Sequence, residues 1–466
     1  MATAVEVTKK SVSRKEVIGW LITISLPGLF MLFVPNSETI NFQQKLFFAV
    51  TLFYILMTAF ELVDNIVVCF MLPVTYLLFK LAPAAQIFSP WLGTIPWMVI
   101  AGFLMANVML RIGLLQRIAF WCVIKSGSTY NGIIWGFAFA GIILNLVAPG
   151  KVYIPMATIA LGLCTALNLG HSKTAAGIFM AGAYAAILPM TFLYTPSGAG
   201  ILYSIMSSVT PVSITWLGFL FHWAVYVIIY FGAFYIVSKV FKSDVEFEGR
   251  SFFEEKMKNL GSISKAEKKA VVLVILFMIF MLTGSIHKID IAWGFVFIAV
   301  AFYLPGIKIG TREDVNKIQF SMVLFITAFM AIGTVSNAVG AGKIISDLVL
   351  PFFDQNNPFV LYGMVALLGF IMNFLLTPMA GYATLIPPLT QIAVDLGINP
   401  VPVVYSLSFG LGELILPYEI ALYLIFFSYG YMSLKDFMKI GAIKALFAFI
   451  FFMVIMIPYW LLIGLI

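Results

Sequence analysis

Three ionisable residues lie where an apolar chain tolerates them least. Lys151, Glu413 and Glu419 each stand inside or beside an apolar run and within two residues of a proline or glycine. A charge at membrane depth costs about 2.5–3.5 kcal/mol on insertion scales, so its presence argues for a task. A buried ammonium attracts an anion, and a buried carboxyl with a raised pKa can carry a proton. The same charges can also neutralise one another, or Glu413 can snorkel to an interface. The backbone around them is polar in its own right, because proline lacks a donor and glycine favours non-helical geometry. Four tips result: Ala148-Pro149-Gly150-Lys151 with Val152, Thr195-Pro196-Ser197-Gly198, Thr377-Pro378-Met379-Ala380-Gly381, and Leu416-Pro417-Tyr418-Glu419. Half-helix N-termini at such tips direct partial positive charge inward and suit a carboxylate. Thr195, Ser197 and Thr377 can donate to a substrate or cap the helices they start.

The elements that must position these tips are membrane helices. Hydrophobic residues make up 62% of the 466, charged ones only 10%, too few to coat a soluble domain of this size. At about 20 residues per crossing, about 11 transmembrane helices fit. The run 18–34 has no small-residue cleavage site and is read as a retained helix. Cys69, Cys122 and Cys164 are dispersed in apolar runs, which points to packing rather than a metal site. His171, His222 and His287 lack ligand spacing. Glu61, Asp64 and Arg111 fall at segment ends and read as interface residues.

The net charge of +7 is concentrated. Lys9, Lys10, Arg14 and Lys15 precede the first apolar run, and five lysines between 256 and 269 precede the second block. Basic flanks mark the cytoplasmic side, placing the N-terminus and the segment 239–269 inside a cell membrane. No basic, aromatic domain outside the membrane suggests nucleic acid as a partner. The segment 239–269 reads as an amphipathic linker on the inner surface between halves 1–238 and 270–466.

The two halves repeat one order of events: a span, an apolar run ending in Asn and Pro, another run, then a proline-centred break. Asn145 and Asn373 are 228 positions apart, and Pro149 and Pro378 are 229 apart. One such break is as well explained as a packing kink. Four in matching places indicate a midplane site. The expected architecture is all-α with two inverted repeats. Each has a re-entrant hairpin (131–167 and 359–396) and a broken helix (175–208 and 401–429).

The chain resembles a known family. LGSISKAEKKAVVLVILFMIFMLTGSIHKIDIAW (260–293), PVSITWLGFLFHWAV (211–225) and PYEIALYLIFFSYGYMSLKDFMKIG (417–441) are similar to segments of the divalent anion:sodium symporters, carriers of dicarboxylates, citrate and sulfate. The resemblance implies a homodimer of elevator type, with a scaffold and a mobile transport domain, and no enzyme activity. It also implies a Ser-Asn-Thr triplet at each hairpin tip, binding substrate and helping to form sodium sites. This sequence departs from that pattern at both tips. Gly150, Lys151 and Val152 stand at the first and Pro378, Met379 and Ala380 at the second. Sodium needs several oxygen ligands, and these residues remove them, so the sodium sites are expected to be degenerate. The expected function is secondary transport of small organic anions, by sodium-independent exchange or proton linkage through Glu413 or Glu419, with Lys151 standing in for a cation. A carrier of an inorganic oxyanion or other solute, or a non-transporting receptor, is the alternative. Nucleotide-binding and common hydrolase motifs are absent.

Overall fold

The computed structural model describes residues 14–37, 40–60, 62–127, 129–243, 250–341, 344, 357–374 and 376–466. Among these residues every regular element is a helix. The principal ones are α1 (Arg14–Phe33), α2 (Phe42–Ala59), α3 (Asn65–Leu78), α4 (Thr94–Arg111) and α5 (Leu114–Lys125). The first helix–tip–helix element is α6 (Tyr130–Val147) and α7 (Tyr153–Ala166). A broken helix follows as α8 (Lys173–Ile187) and α9 (Ala199–Ser207), and then a bent pair, α10 (Trp216–His222) and α11 (Tyr226–Val240). After α12 (Arg250–Asn259), α13 (Lys265–Leu282), α14 (Ile291–Ala301) and α15 (Phe320–Val339), the pattern returns. The second tip joins α16 (Pro358–Met372) to α17 (Pro378–Asp395). The second broken helix is α18 (Pro400–Leu411) and α19 (Ala421–Ser428), and α20 (Leu434–Phe451) completes the chain with its extension to Leu462.

The caps repeat along with the breaks. Thr129 caps α6 and Asn357 caps α16, 228 positions later; Ser172 caps α8 and Asn399 caps α18, 227 later. Each side chain accepts an N–H of the helix's first turn, satisfying a donor that has no partner within the helix. Packing follows the same scheme. Both α6 and α7 lie against α8, and both α16 and α17 lie against α18. The second halves cross over: α9 packs on α17, and α19 packs on α8. Residues far apart in sequence are thereby drawn to one centre.

Among the described residues, six helices are long and apolar enough to cross a membrane, or seven if the bent pair α10–α11 counts as one span. Six more apolar helices are only 10–17 residues long, and α7, α16 and α18 are among them. Length alone therefore yields fewer crossings than about 11, since a helix limb that turns at a tip does not need full membrane thickness. Surface side chains are largely apolar; on α1, Leu21 and Leu32 are 63% and 80% exposed. Such a surface suits lipid.

One apolar core runs through both halves. Trp223, Tyr405 and Trp460 cluster inside it with ring centroids 5.0–6.1 Å apart. A smaller core joins α2 and α3 to Phe329, Ile332 and Val335 of α15. The helix α12 does more than rest on a surface. Phe253 is fully buried and meets Phe120 of α5 at 6.2 Å, while Lys256 and Lys258 face outward. Two arginines tie the first half to the chain that follows it. Arg111 bonds both carboxylate oxygens of Asp314 (2.8 and 2.9 Å), and Arg117 reaches Glu267 (2.5 Å) and the Gly261 carbonyl (3.0 Å).

Candidate functional site

At the first tip the chain turns through Gly150, whose φ of +93° favours glycine. A Cβ there would stand 4.0 Å from Ser197 Oγ and 3.9 Å from the Phe103 ring. One at Gly102 would meet Pro196 at 3.0 Å. The tip 148–152 and the break 195–198 therefore lie together against α4. Pro149, Val152, Thr195 and Pro196 are buried, and Gly150, Ser197 and Gly198 are partly open. Lys151 is 7% exposed, with its Nζ 5.6 Å from the centroid of the Phe103 ring. Among the described residues no carboxylate comes within ion-pair distance of it. Neither α7 nor α9 has a side-chain cap at its N-terminus. Within the break, the Gly198 and Gly200 N–H groups donate to the Thr195 carbonyl at 3.2 and 3.0 Å, while the buried Thr195 Oγ1 has no partner. A Cβ at Gly198 would lie 2.8 Å from that oxygen and from the Met190 carbonyl, so only glycine fits.

The second tip and break are differently equipped. Thr377 caps α17 by accepting from the Ala380 N–H at 3.4 Å and is exposed. Pro378, Ala380 and Gly381 are buried, Met379 half-buried. A Cβ at Gly381 would press within 2.7 Å of Leu411, the last residue of α18. In the break 412–420, Glu413 does not meet Lys151. Its Oε2 lies 2.8 Å from Nζ of Lys444, a residue of α20 that is 1% exposed. Glu413 and Lys151 therefore do not neutralise each other: α20 packs beside the break and supplies its own ammonium. Glu419 is engaged locally, its Oε2 accepting from the Ile415 and Leu416 N–H groups at 2.8 and 3.2 Å, with Pro417 buried beside it. Its Oε1 is without a partner.

The two asparagines that marked the repeat hold equivalent places. Asn145 Nδ2 donates to the Ala185 carbonyl of α8 at 3.2 Å, and Asn373 Nδ2 donates to the Gly410 carbonyl of α18 at 3.2 Å. The Oδ1 atoms of both are buried and unpartnered. Each side chain ties a tip to the last turn of the half-helix before the break.

A cavity of about 990 Å³ lies one turn beyond the first break. Tyr194, Tyr203, Ser204, Ser207, Ser208 and Thr215 supply much of its wall, with Lys288 and Asp290 exposed at its edge. No sequence-selected tip residue lines it. The hydroxyl-dense stretch SIMSSVTPVSIT (204–215) was the available signal. Tyr203 also bonds Tyr405 of α18, oxygen to oxygen at 2.6 Å, and His222 Nδ1 stands 3.3 Å from the Tyr405 hydroxyl. His222 is thus part of the interior, whereas His171 is exposed and His287 stacks on Phe280 at 4.2 Å. Asp64 caps α3; Glu61 lies outside the described residues.

A sodium:sulfate symporter transmembrane-region model matches residues 14–466. The chain belongs to that family. The sodium:sulfate symporter family consists of membrane transporters, so the chain is a multi-pass membrane transporter of anions, in agreement with the resemblance read from 211–225, 260–293 and 417–441. The crystal structure of the YdaH transporter from Alcanivorax borkumensis, described as having an unusual topology, is similar with a TM-score of 0.55 and 13% identity. The match covers 84% of this chain and 89% of that one, and at this identity it speaks for the fold. No curated protein matches the chain.

Proposed function

We propose that this symporter-family member is a secondary active transporter of small organic anions, di- or tricarboxylates, working without sodium by exchange. The observation that carries the reading is Lys151: a buried ammonium, without a carboxylate partner among the described residues, beside two half-helix N-termini that lack side-chain caps. Amide ends and a fixed positive charge together make an anion site. In this reading Pro149, Gly150, Val152 and 195–198 contribute to the site, together with the second tip (377–381) and Pro417. Lys151 stands where a sodium-dependent relative would need oxygen ligands, and Met379 and Ala380 supply none at the other tip. Exchange is favoured over proton linkage because Glu413 is held by Lys444 and one oxygen of Glu419 by two amides.

In this reading the 990 Å³ cavity is the approach to the site, and its hydroxyl wall replaces water around an entering polar solute. The repeats are inverted, a scaffold carries a mobile transport unit, and two copies assemble in the inner membrane with the N-terminus inside. The second reading, an inorganic oxyanion as cargo, is favoured by the sulfate in the family's description. Counterflow decides between them. Proteoliposomes in choline buffer, loaded with citrate, succinate or sulfate, should take up the matching labelled anion by exchange. An absolute need for an inward sodium gradient would refute the proposal.

A further inference from the structure

The second break contains a cation-binding arrangement already filled from within. Lys444 Nζ stands 2.8 Å from Glu413 Oε2 and 3.4 Å from the carbonyl oxygen of Gly412. Gly412 immediately follows the last residue of α18, so the ammonium sits at the negative end of a half-helix. A carboxylate plus released carbonyls at a half-helix C-terminus is the ligand set that broken membrane helices offer to small monovalent cations. Further oxygens are in reserve. Glu413 Oε1 and the Tyr184 hydroxyl are buried and unpartnered. Tyr184, Tyr226 and Tyr423 all lie near enough to interact electrostatically with the Glu413 carboxylate.

We propose that Lys444 is a tethered cation occupying a latent monovalent-cation site formed by the Glu413 carboxylate and the Gly412 carbonyl. A pair kept only for folding needs neither a helix C-terminus nor spare oxygens, and buried ion pairs are commonly replaceable by apolar residues without loss of stability. Together with Lys151 this gives each broken helix one built-in ammonium. Deleting the Lys444 side chain leaves space beside a carboxyl without its counter-charge, which a free cation can then occupy in place of the carboxyl proton.

The consequence for transport rests on the carrier reading, but the site itself is tested by binding alone. Purified Lys444→Ala protein in choline buffer is titrated with sodium, lithium, ammonium and methylammonium chlorides while its thermal unfolding is followed. The expected result is a saturable rise in melting temperature with at least one of these cations, on the order of 5 °C, since a ligand specific to the folded state stabilises it. The wild type and the double variant Glu413→Gln/Lys444→Met should show no such rise. If Lys444→Ala cannot be isolated in choline buffer, it is purified with ammonium chloride throughout, and recovery of monodisperse protein supports the site. A folded Lys444→Ala that responds to none of the cations overturns the proposal. So does a double variant that responds as strongly, or a single variant that no cation recovers while the double variant folds.

Discussion

The two broken helices share caps, asparagines and packing partners, yet they handle charge in opposite ways. The first break has no ionisable side chain of its own and receives one buried ammonium from the neighbouring tip, resting on an aromatic face. The second holds two carboxylates, one closed by Lys444 and one partly satisfied by the backbone. A common framework is therefore compatible with one half left open for a guest and the other completed by the chain. The cargo's charge is to be sought at the first, and charge already balanced at the second.

Four substitutions press on this contrast. The largest effect is expected from Glu413→Ala, which leaves the Lys444 ammonium buried and alone. Breaking a buried pair on one side costs about 3–5 kcal/mol, so folded protein should be largely lost in size-exclusion and thermal assays. Lys151→Ala should leave the fold nearly intact and weaken anion affinity by roughly 10- to 100-fold in a binding titration, the usual worth of a charged hydrogen bond. An unfolded Lys151→Ala with a normal Glu413→Ala would reverse the assignment of the two breaks. Gly198→Ala should cost about 1–3 kcal/mol through a clash with fixed atoms. Gly412→Ala, whose Cβ would stay 3.3 Å from its neighbours, should cost less by the same melt.

The smallest effect lies outside both breaks, in the Arg111–Asp314 clasp. Burial pushes the Asp314 carboxyl up, but the Arg111 guanidinium and the Thr311 bonds outweigh this and hold it below the ordinary carboxylate value. A carboxyl with a depressed folded-state pKa contributes stability at neutral pH that fades as pH falls below about 4 and through its folded value. Asp314→Asn should flatten that acid limb of a stability profile and leave anion binding unchanged.

Much of the scheme was legible because polar and helix-breaking residues are conspicuous in apolar sequence. Pro149, Pro378, Asn145 and Asn373 announce the repeat by spacing alone, and the structure shows each asparagine bonded to the adjoining half-helix. Lys444 was not legible. It follows Lys435 and Lys439 in a helix that looks like one more basic flank, and only burial separates it from them. The cavity was missed for a related reason. Serine and threonine are tolerated throughout membrane helices, so the hydroxyls of 204–215 gain meaning only when helix packing turns them to one side.

The short bond between Tyr203 and Tyr405 has a mechanical corollary. One phenol belongs to the last stretch of the first broken helix and the other to the opening stretch of the second, so it rivets elements encoded 202 residues apart. Sliding those helices past each other would break this bond between two buried hydroxyls. The bond thus couples the two broken helices mechanically, so that a displacement of one is transmitted to the other.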